Sequence, residues 1–435
     1  MSSRHVSAVV ARRAPGVRSR AFSLETALLA LGIAVVAVST AWSGDALQVA
    51  GGDYSTSYEP AMKALLDGRL GAFFANLPTN GAGGSVLLRA PFAGLGKLFG
   101  GDQLLIFRLG ALACLLALGA LGLWLAGDLR RRGVALATRI GLVALCAATP
   151  ALLEAVSLGH PEEALGAVLC IAAVLAAGAG RPLLAGALLG AAVINKPWGV
   201  LAVGPVLLCA PAGERKRVLA PAGAIVGCWL ASAALVAPSQ LLRSLHGAET
   251  SIVAHPQDLW WPLHHMDGLY PVPPLLLSAH ARQLAVALGL GAAIAIALRA
   301  LRSHTPAGTQ RCLALLAFGF ALRCLLEPSS HGYYQLPLLV ALATWEVRAR
   351  RSVAIALAAT LLLTLDFGRL NESATATISY LLYLAVVLPI CGLLLADICR
   401  PLAPEARADA WPAAAAMRRR PPGWPRRFRS PSGAG

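Results

Sequence analysis

The chain reads as an all-α polytopic membrane protein with about 10–12 transmembrane segments. Three observations predict this. The 435 residues are 57% hydrophobic and only 13% charged, with mean hydropathy +0.66. A soluble domain carries about a quarter charged residues on its surface. The apolar residues come in continuous runs, and a run of about 17–25 residues crosses a bilayer core as a helix. Continuous runs also exclude a closed β-barrel, whose strands alternate apolar and polar positions. Finally, basic and acidic residues gather in segments that alternate along the chain.

This last pattern explains the net charge of +16. The basic residues concentrate at 1–20, 130–139, 181, 215–217, 299–311, 348–351 and beyond 400. That is the positive-inside distribution of cytoplasmic loops. It is not a nucleic-acid-binding face, and no nucleic-acid partner is expected. The protein is therefore expected to be multi-pass in the cell membrane, with both termini cytoplasmic. Nine cysteines lie in or beside apolar segments. They read as small buried hydrophobes, not as a disulfide framework or a metal site.

The elements follow in order. Residues 1–23 form a basic cytoplasmic N-terminus. The run at 24–42 is longer than a signal-peptide core, so it reads as a retained helix running outward. Residues 43–102 make the first outer loop. Within it, SVLLRAPFAGLGKLFG (85–100) is apolar but carries Arg89 and Lys97. Spanning there would invert every later loop against the charge rule, so it is placed as an interfacial or re-entrant helix. Helices are predicted over 103–126, 139–157 and 162–179, with the SLGHPEE turn outside.

The stretch 182–211 then forms a broken hairpin. It begins and ends at cytoplasmic signals, with Asn195-Lys196-Pro197-Trp198 in the middle. Each arm is about 13 residues, or about 20 Å of helix, short for a core of about 30 Å. The tip is therefore expected below the outer surface, in a cavity, because broken backbone at that depth needs protein or water around it. Helices are predicted at 219–237, 283–298, 311–326, 333–346, 352–366 and 378–398, with an outer loop at 238–281. The whole of 24–399 is one transmembrane domain. The Pro-, Ala- and Arg-rich tail 400–435 lacks the means to bury a core and is expected to be a disordered basic cytoplasmic segment.

With this topology most of the 21 acidic residues fall on the outer face. The charge rule does not require that, because acids contribute little to it. Four clusters gather there. They are Asp53 with Tyr54 and Tyr58; His160 with Glu162 and Glu163; Lys196 at the hairpin tip; and Arg323, Glu327, His331, Tyr333 and Tyr334. Ionisable groups at membrane depth are costly and usually functional. Plainer readings exist for each: a snorkelling lysine, acids in a helix first turn, an interfacial aromatic belt. His264, His265 and Asp267 have the composition of metal ligands but no partner cluster.

An acid shortly after the first helix, in an outer loop followed by amphipathic segments, resembles the GT-C glycosyltransferases. AGALLGAAVINKPWGVLAVGPVLL and GGDYSTSYEPAMKALLDGRLGAF resemble family 87 of that group, the polyprenol-phosphate-mannose-dependent mannosyltransferases. EPSSHGYYQLPLLVALATWE is similar to a late segment of related bacterial members. The similarity concerns motif order over about 45–346. The position after the third helix is His-Pro-Glu-Glu rather than Gly-Gln-x-Asn, and no second acid adjoins Asp53.

The resemblance implies a GT-C-like fold with its active site on the outer face. It implies transfer of mannose or a related sugar, with inversion, from a polyprenyl-phosphate-linked donor to a glycan or lipid acceptor. A base must take the acceptor proton, and positive charge must meet the departing phosphate. Asp53 is the expected catalytic base. Lys196 and Arg323 are the expected donor-phosphate ligands. Tyr54, Tyr58, His160, Glu162, Glu163, Glu327, His331 and Tyr334 are the expected substrate-binding residues. No cofactor is expected, and no motif supports a divalent metal. Two alternatives remain open: a transporter or flippase for a lipid or anionic solute, with Lys196 as its intramembrane site, and a structural membrane protein without catalysis.

Overall fold

The computed structural model describes residues 24–43, 53–78, 83–246, 255–257, 259–264, 287–299, 302, 306–327, 330–369 and 375–400. The basic N-terminus 1–23, the tail beyond 400 and most of the loop 238–281 lie outside them. So do His265 and Asp267.

Every regular element among the described residues is helical. The first helix, α1, is Leu24–Ser43. A π-helical turn follows at Tyr54–Tyr58, then α2 (Glu59–Leu66), α3 (Leu70–Ala75) and α4 (Gly83–Leu98). The long α5 is Gln103–Arg131, and α6 (Leu136–Ala147) and α7 (Pro150–Ser157) come after it. Next are α8 (Glu162–Gly178), α9 (Pro182–Asn195), a 3-10 turn at Pro197–Ala202 and α10 (Val203–Cys209). They are followed by α11 (Arg215–Val236), α12 (Pro238–His246), α13 (Trp261–His264) and α14 (Ala287–Arg299). The chain closes with α15 (Thr309–Leu326), a 3-10 turn at Gly332–Gln335, α16 (Leu336–Arg350), α17 (Ala354–Arg369) and α18 (Ala376–Cys399).

Six of the described helical stretches are long and apolar enough to cross a membrane: α1, α5, α6 with α7, α11 with the turn before it, α15 and α18. The helices α9, α14 and α17, and the stretch Pro197–Cys209, are apolar but shorter. Their outward sides carry large apolar residues. Leu24 and Leu31 on α1, Leu361 on α17 and Leu381 on α18 are all exposed. Exposed leucines on apolar helices of this length suit a lipid-facing surface.

Several boundaries differ from the sequence reading. The helix expected at 103–126 continues to Arg131, because Asp128 pairs with Arg131 and Arg132 across its last turn. The helix expected at 139–157 is two helices. Thr149 accepts from Leu152 N and caps a new start, with Pro150 at the first position. The described residues of 43–102 are largely helical, including most of the 85–100 stretch. Arg89 on α4 is only 1% exposed and points inward. At the hairpin tip Asn195 and Lys196 are buried. Seven cysteines are buried as expected, but Cys228 and Cys399 are exposed; all nine are free.

The core lies around α8 and α16. Both are sheathed by other helices, and every residue from Leu336 to Val347 is buried. Small residues permit the close approaches. A side chain at Gly186 of α9 would meet the backbone of Val218, and one at Gly84 of α4 would meet the backbone of Ile194. Tight small-residue contacts of this kind drive helix association where solvent supplies no hydrophobic force. One end of this core, where α8 begins and α9 breaks, carries the ionic cluster described next.

Candidate active site

Asp53 opens the π-helical turn but does not cap it, since its side chain makes no cap hydrogen bond. Single π-turns are rare and often mark functional positions. The wider turn puts Tyr54 and Tyr58 on the same inner side. Asp53 remains at the rim, with its side chain 63% exposed. Its carboxylate Oδ2 lies 2.9 Å from His160 Nε2.

His160 is set by the turn between α7 and α8. Gly159 takes a left-handed φ of 87°, which a residue with a side chain rarely adopts. His160 N then bonds back to the Ala155 carbonyl at 2.6 Å. The imidazole is buried. Its Nδ1 lies 2.9 Å from Glu162 Oε1. Tyr333 stacks on the ring at 4.8 Å between centroids and 17° between planes, and Tyr58 meets it edge-on at 5.9 Å.

Glu162 and Glu163 begin α8. Acids in a first turn complement the helix dipole, yet here both are fully buried and engaged in ion pairs. Glu162 Oε1 accepts from Tyr58 Oη at 2.8 Å and lies 3.2 Å from Lys196 Nζ. Glu162 Oε2 is 3.8 Å from an Arg89 terminal nitrogen. Glu163 Oε1 is 3.1 Å from Lys196 Nζ, and both its oxygens face Arg323 at 3.2 Å. Trp198 Nε1 donates to Glu163 Oε1 at 3.4 Å.

The break between α9 and the 3-10 turn brings Lys196 here. A residue before proline is steered out of the helical region. Lys196 accordingly has φ −150° and ψ 139°. Asn195 pins the tip by donating from Nδ2 to the Glu162 carbonyl at 2.9 Å. Arg323 is held between the Trp198 and Tyr334 rings, 4.9 Å and 4.8 Å from their centroids. Such cation–π contacts strengthen when desolvated.

The structure thus brings Asp53, Tyr58, His160, Glu162, Glu163, Lys196, Arg323 and Tyr334 into one continuous cluster. His331 belongs to its rim, stacked on Tyr333 at 5.4 Å and 5.1 Å from the His255 ring. Glu327 is half-buried, close enough for its charge to act on Arg323 and Tyr334. Tyr54, expected among the substrate ligands, is 2% exposed and packs on Phe107 at 4.6 Å between ring centroids. Lys196 and Arg323, the expected phosphate ligands, both meet carboxylates of the protein itself, so the two buried glutamates have their counter-charges.

Three participants escape the sequence reading. In the sequence Arg89 has the look of an interfacial-helix marker, although Ser85 four residues earlier offers it a helical neighbour; Arg89 Nε donates to the Ser85 carbonyl at 3.3 Å. Glu154 reads as one more outer acid, but its carboxylate accepts from the backbone of Gly332 and Tyr333 and so fixes the aromatic turn. Trp198, in sequence only a part of the tip, is the indole that seats Arg323.

The rim groups have displaced proton affinities. Asp53 is held below the usual carboxylate range, chiefly by the hydrogen bond to His160, against partial burial. Burial alone would lower His160, but its bonds to Asp53 and Glu162 outweigh that and leave it above an ordinary histidine. His331 is pushed down to about 4 by burial and by the neighbouring His255 and His160. Both ring nitrogens of His160 thus face carboxylate oxygens at 2.9 Å. Among the described residues no group of three or more His, Cys, Asp or Glu converges as a metal-binding set.

Comparison with protein-family models, with curated proteins and with solved structures finds no match. The fold and site therefore define the class as far as an all-α protein with apolar, membrane-length helices and a buried ionic cluster opening at one carboxylate.

Proposed function

We propose that this chain is an integral membrane glycosyltransferase. It moves mannose or a related sugar, with inversion, from a polyprenyl-phosphate-linked donor to a hydroxyl of a glycan or lipid acceptor. The reaction takes place at the outer face of the cell membrane, and both termini are cytoplasmic. One observation carries the reading: Asp53 is the solvent-exposed member of a cluster whose other acids are fully buried and paired. A carboxylate so placed is free to collect a proton from an incoming hydroxyl.

The alternation of basic segments supports the topology. The contact of Asp53 with the Lys196 cluster, through His160 and Glu162, supports treating the first outer loop and the broken hairpin as one site. A donor phosphate entering here competes with Glu162 and Glu163 for Lys196 and Arg323. Positive charge then reaches the leaving group as those pairs loosen. In this reading His331 and Tyr334 bind sugar hydroxyls.

The test is transfer of labelled sugar from a polyprenyl-phosphate donor in membranes containing the protein. Incorporation that disappears in Asp53→Asn supports the reading, and full activity in that variant sinks it. The extended backbone at Lys196, inside an apolar hairpin, favours a second reading as a transporter of an anionic lipid or solute. Uptake into proteoliposomes without sugar transfer would select it.

A further inference from the structure

The two ring nitrogens of His160 each lie 2.9 Å from a carboxylate oxygen, one of Asp53 and one of Glu162. A neutral imidazole has one N–H and one lone pair. It would therefore turn its lone pair toward one of these anionic oxygens. Only the doubly protonated ring donates to both. The ring has no room to rotate away, since its side chain is 5% exposed and lies flat beneath Tyr333.

The groups around it fit that charge. Asp53 and Tyr58 face it from the π-turn, and Glu162 from α8. Lys196 approaches through Glu162 from the hairpin break, with Arg89 of α4 beyond the same carboxylate. Tyr333 and His331 face it from the turn before α16. Glu162 is anchored independently by Tyr58 and Lys196, so it is a fixed partner for Nδ1.

We propose that His160 is a positioning residue, an imidazolium clamp that holds Asp53 Oδ2 and leaves Oδ1 as the only oxygen free to take a proton. The clamp deepens the reading of Asp53 as the proton acceptor in sugar transfer, and rests on that reading for its role in catalysis. In the transfer step the acceptor O–H bond breaks and its proton passes to Asp53 Oδ1. The acceptor oxygen bonds to the anomeric carbon as the carbon–oxygen bond to phosphate breaks, and that bond's electron pair leaves with the phosphate. His160 keeps both protons throughout. Its function is to orient the carboxylate and keep it ionised, not to relay the proton. Glu162, expected from the sequence to bind substrate, becomes the anchor of the clamp.

The first test needs no substrate. Nitrogen NMR of the detergent-purified full chain, labelled with 15N-histidine, reads the protonation of each ring; the His160 signals are assigned by their loss in His160→Gln. The expected result is two protonated ring nitrogens at neutral pH, with titration above that of a free histidine. A neutral His160 ring at pH 7 overturns the proposal. Asp53→Asn removes a partner's negative charge at an exposed position and should lower the His160 midpoint by about one pH unit. An unchanged midpoint overturns the clamp.

The second test uses transfer from a labelled mannosyl polyprenyl phosphate to octyl α-mannoside. In His160→Gln the acid limb of kcat/KM should move up by about one pH unit, because Asp53 regains ordinary basicity. A limb that stays in place overturns the clamp. Absence of transfer by the native chain would instead sink the glycosyltransferase reading, with the NMR result still deciding the state of His160.

Discussion

Arg323 and Glu163 face each other through two parallel contacts of 3.2 Å, one from each terminal guanidinium nitrogen. The side chains are 11% and 0% exposed. A fork of this kind matches a planar cation to a planar anion and tolerates no lysine in its place. It ties α15 to the start of α8 and so closes the back of the cluster. Breaking one side of a buried pair leaves an uncompensated charge and costs about 3–5 kcal/mol. Arg323→Met should therefore destabilise the detergent-purified protein, measured by thermal unfolding, though by less than that full cost because Lys196 stays 3.1 Å from Glu163 Oε1. The double variant Arg323→Met with Glu163→Gln should recover a large part of the loss. Equal destabilisation by the single and double variants would show that the pair matters through shape and not charge.

Asp53 separates chemistry from stability more cleanly. Its side chain is mostly exposed, so replacing it removes little packing. Asp53→Asn keeps the shape and can still bond to His160. We expect its unfolding midpoint to stay within about 2 °C of the native protein. Sugar transfer should fall at least about 100-fold, the usual scale for loss of a general base. The contrast between the two readouts is the prediction. A large stability loss with proportionate activity loss would assign Asp53 to structure.

The helical class and the site's composition are legible in the sequence because they depend on residue type and order. Long apolar runs, the position of Asp53 after α1, and Lys-Pro inside an apolar hairpin are all local signals. Pairing across the fold is not legible. The Asp53–His160 contact joins residues 107 positions apart, and Arg323–Glu163 joins residues 160 apart. No local pattern encodes which cation meets which carboxylate, so the pairing of Lys196 and Arg323 with Glu162 and Glu163 is not readable in the sequence. Arg89 escapes for a related reason. A lone arginine in an apolar segment has the same sequence signature whether it snorkels outward or fills a buried ion pair. The split of the 139–157 segment is readable in principle, since Thr149-Pro150 is a capping residue followed by a favoured first-turn proline.

The Asp53–His160 pair should leave a signature in stability against pH. Asp53 has its folded affinity depressed from 3.8, so its contribution is present above that value and is lost as pH falls through the lower folded value. His160 has its folded affinity raised from 6.5, so its contribution is complete below 6.5 and is lost as pH rises through the higher folded value. The pair therefore stabilises most between the two unperturbed values and weakens on either side. Thermal unfolding of the native protein and of His160→Gln, followed from pH 4 to 9, should show curves that converge on the alkaline side. A difference that grows above neutral pH would contradict a raised His160 affinity.

The hairpin tip offers a steric test of how the site is assembled. Gly166 on α8 faces the tip, and a Cβ there would lie 2.6 Å from the Trp198 ring and 3.0 Å from Asn195 Nδ2. Both neighbours hold the tip: Asn195 bonds the Glu162 carbonyl, and Trp198 seats Arg323 and donates to Glu163. Gly166→Ala should therefore push the break outward and carry Lys196 away from Glu162 and Glu163. Overpacking of a tight interior costs about 1–3 kcal/mol, which the unfolding midpoint should report. Sugar transfer should fall by more than that loss explains at a temperature where the variant stays folded, because the Lys196 pairs back the His160–Asp53 contact. Gly319→Ala on α15 is the control, since its Cβ would meet only Leu201 at 3.7 Å, an ordinary contact. Equal activity in the two variants would mean that the tip adjusts without disturbing the ionic cluster.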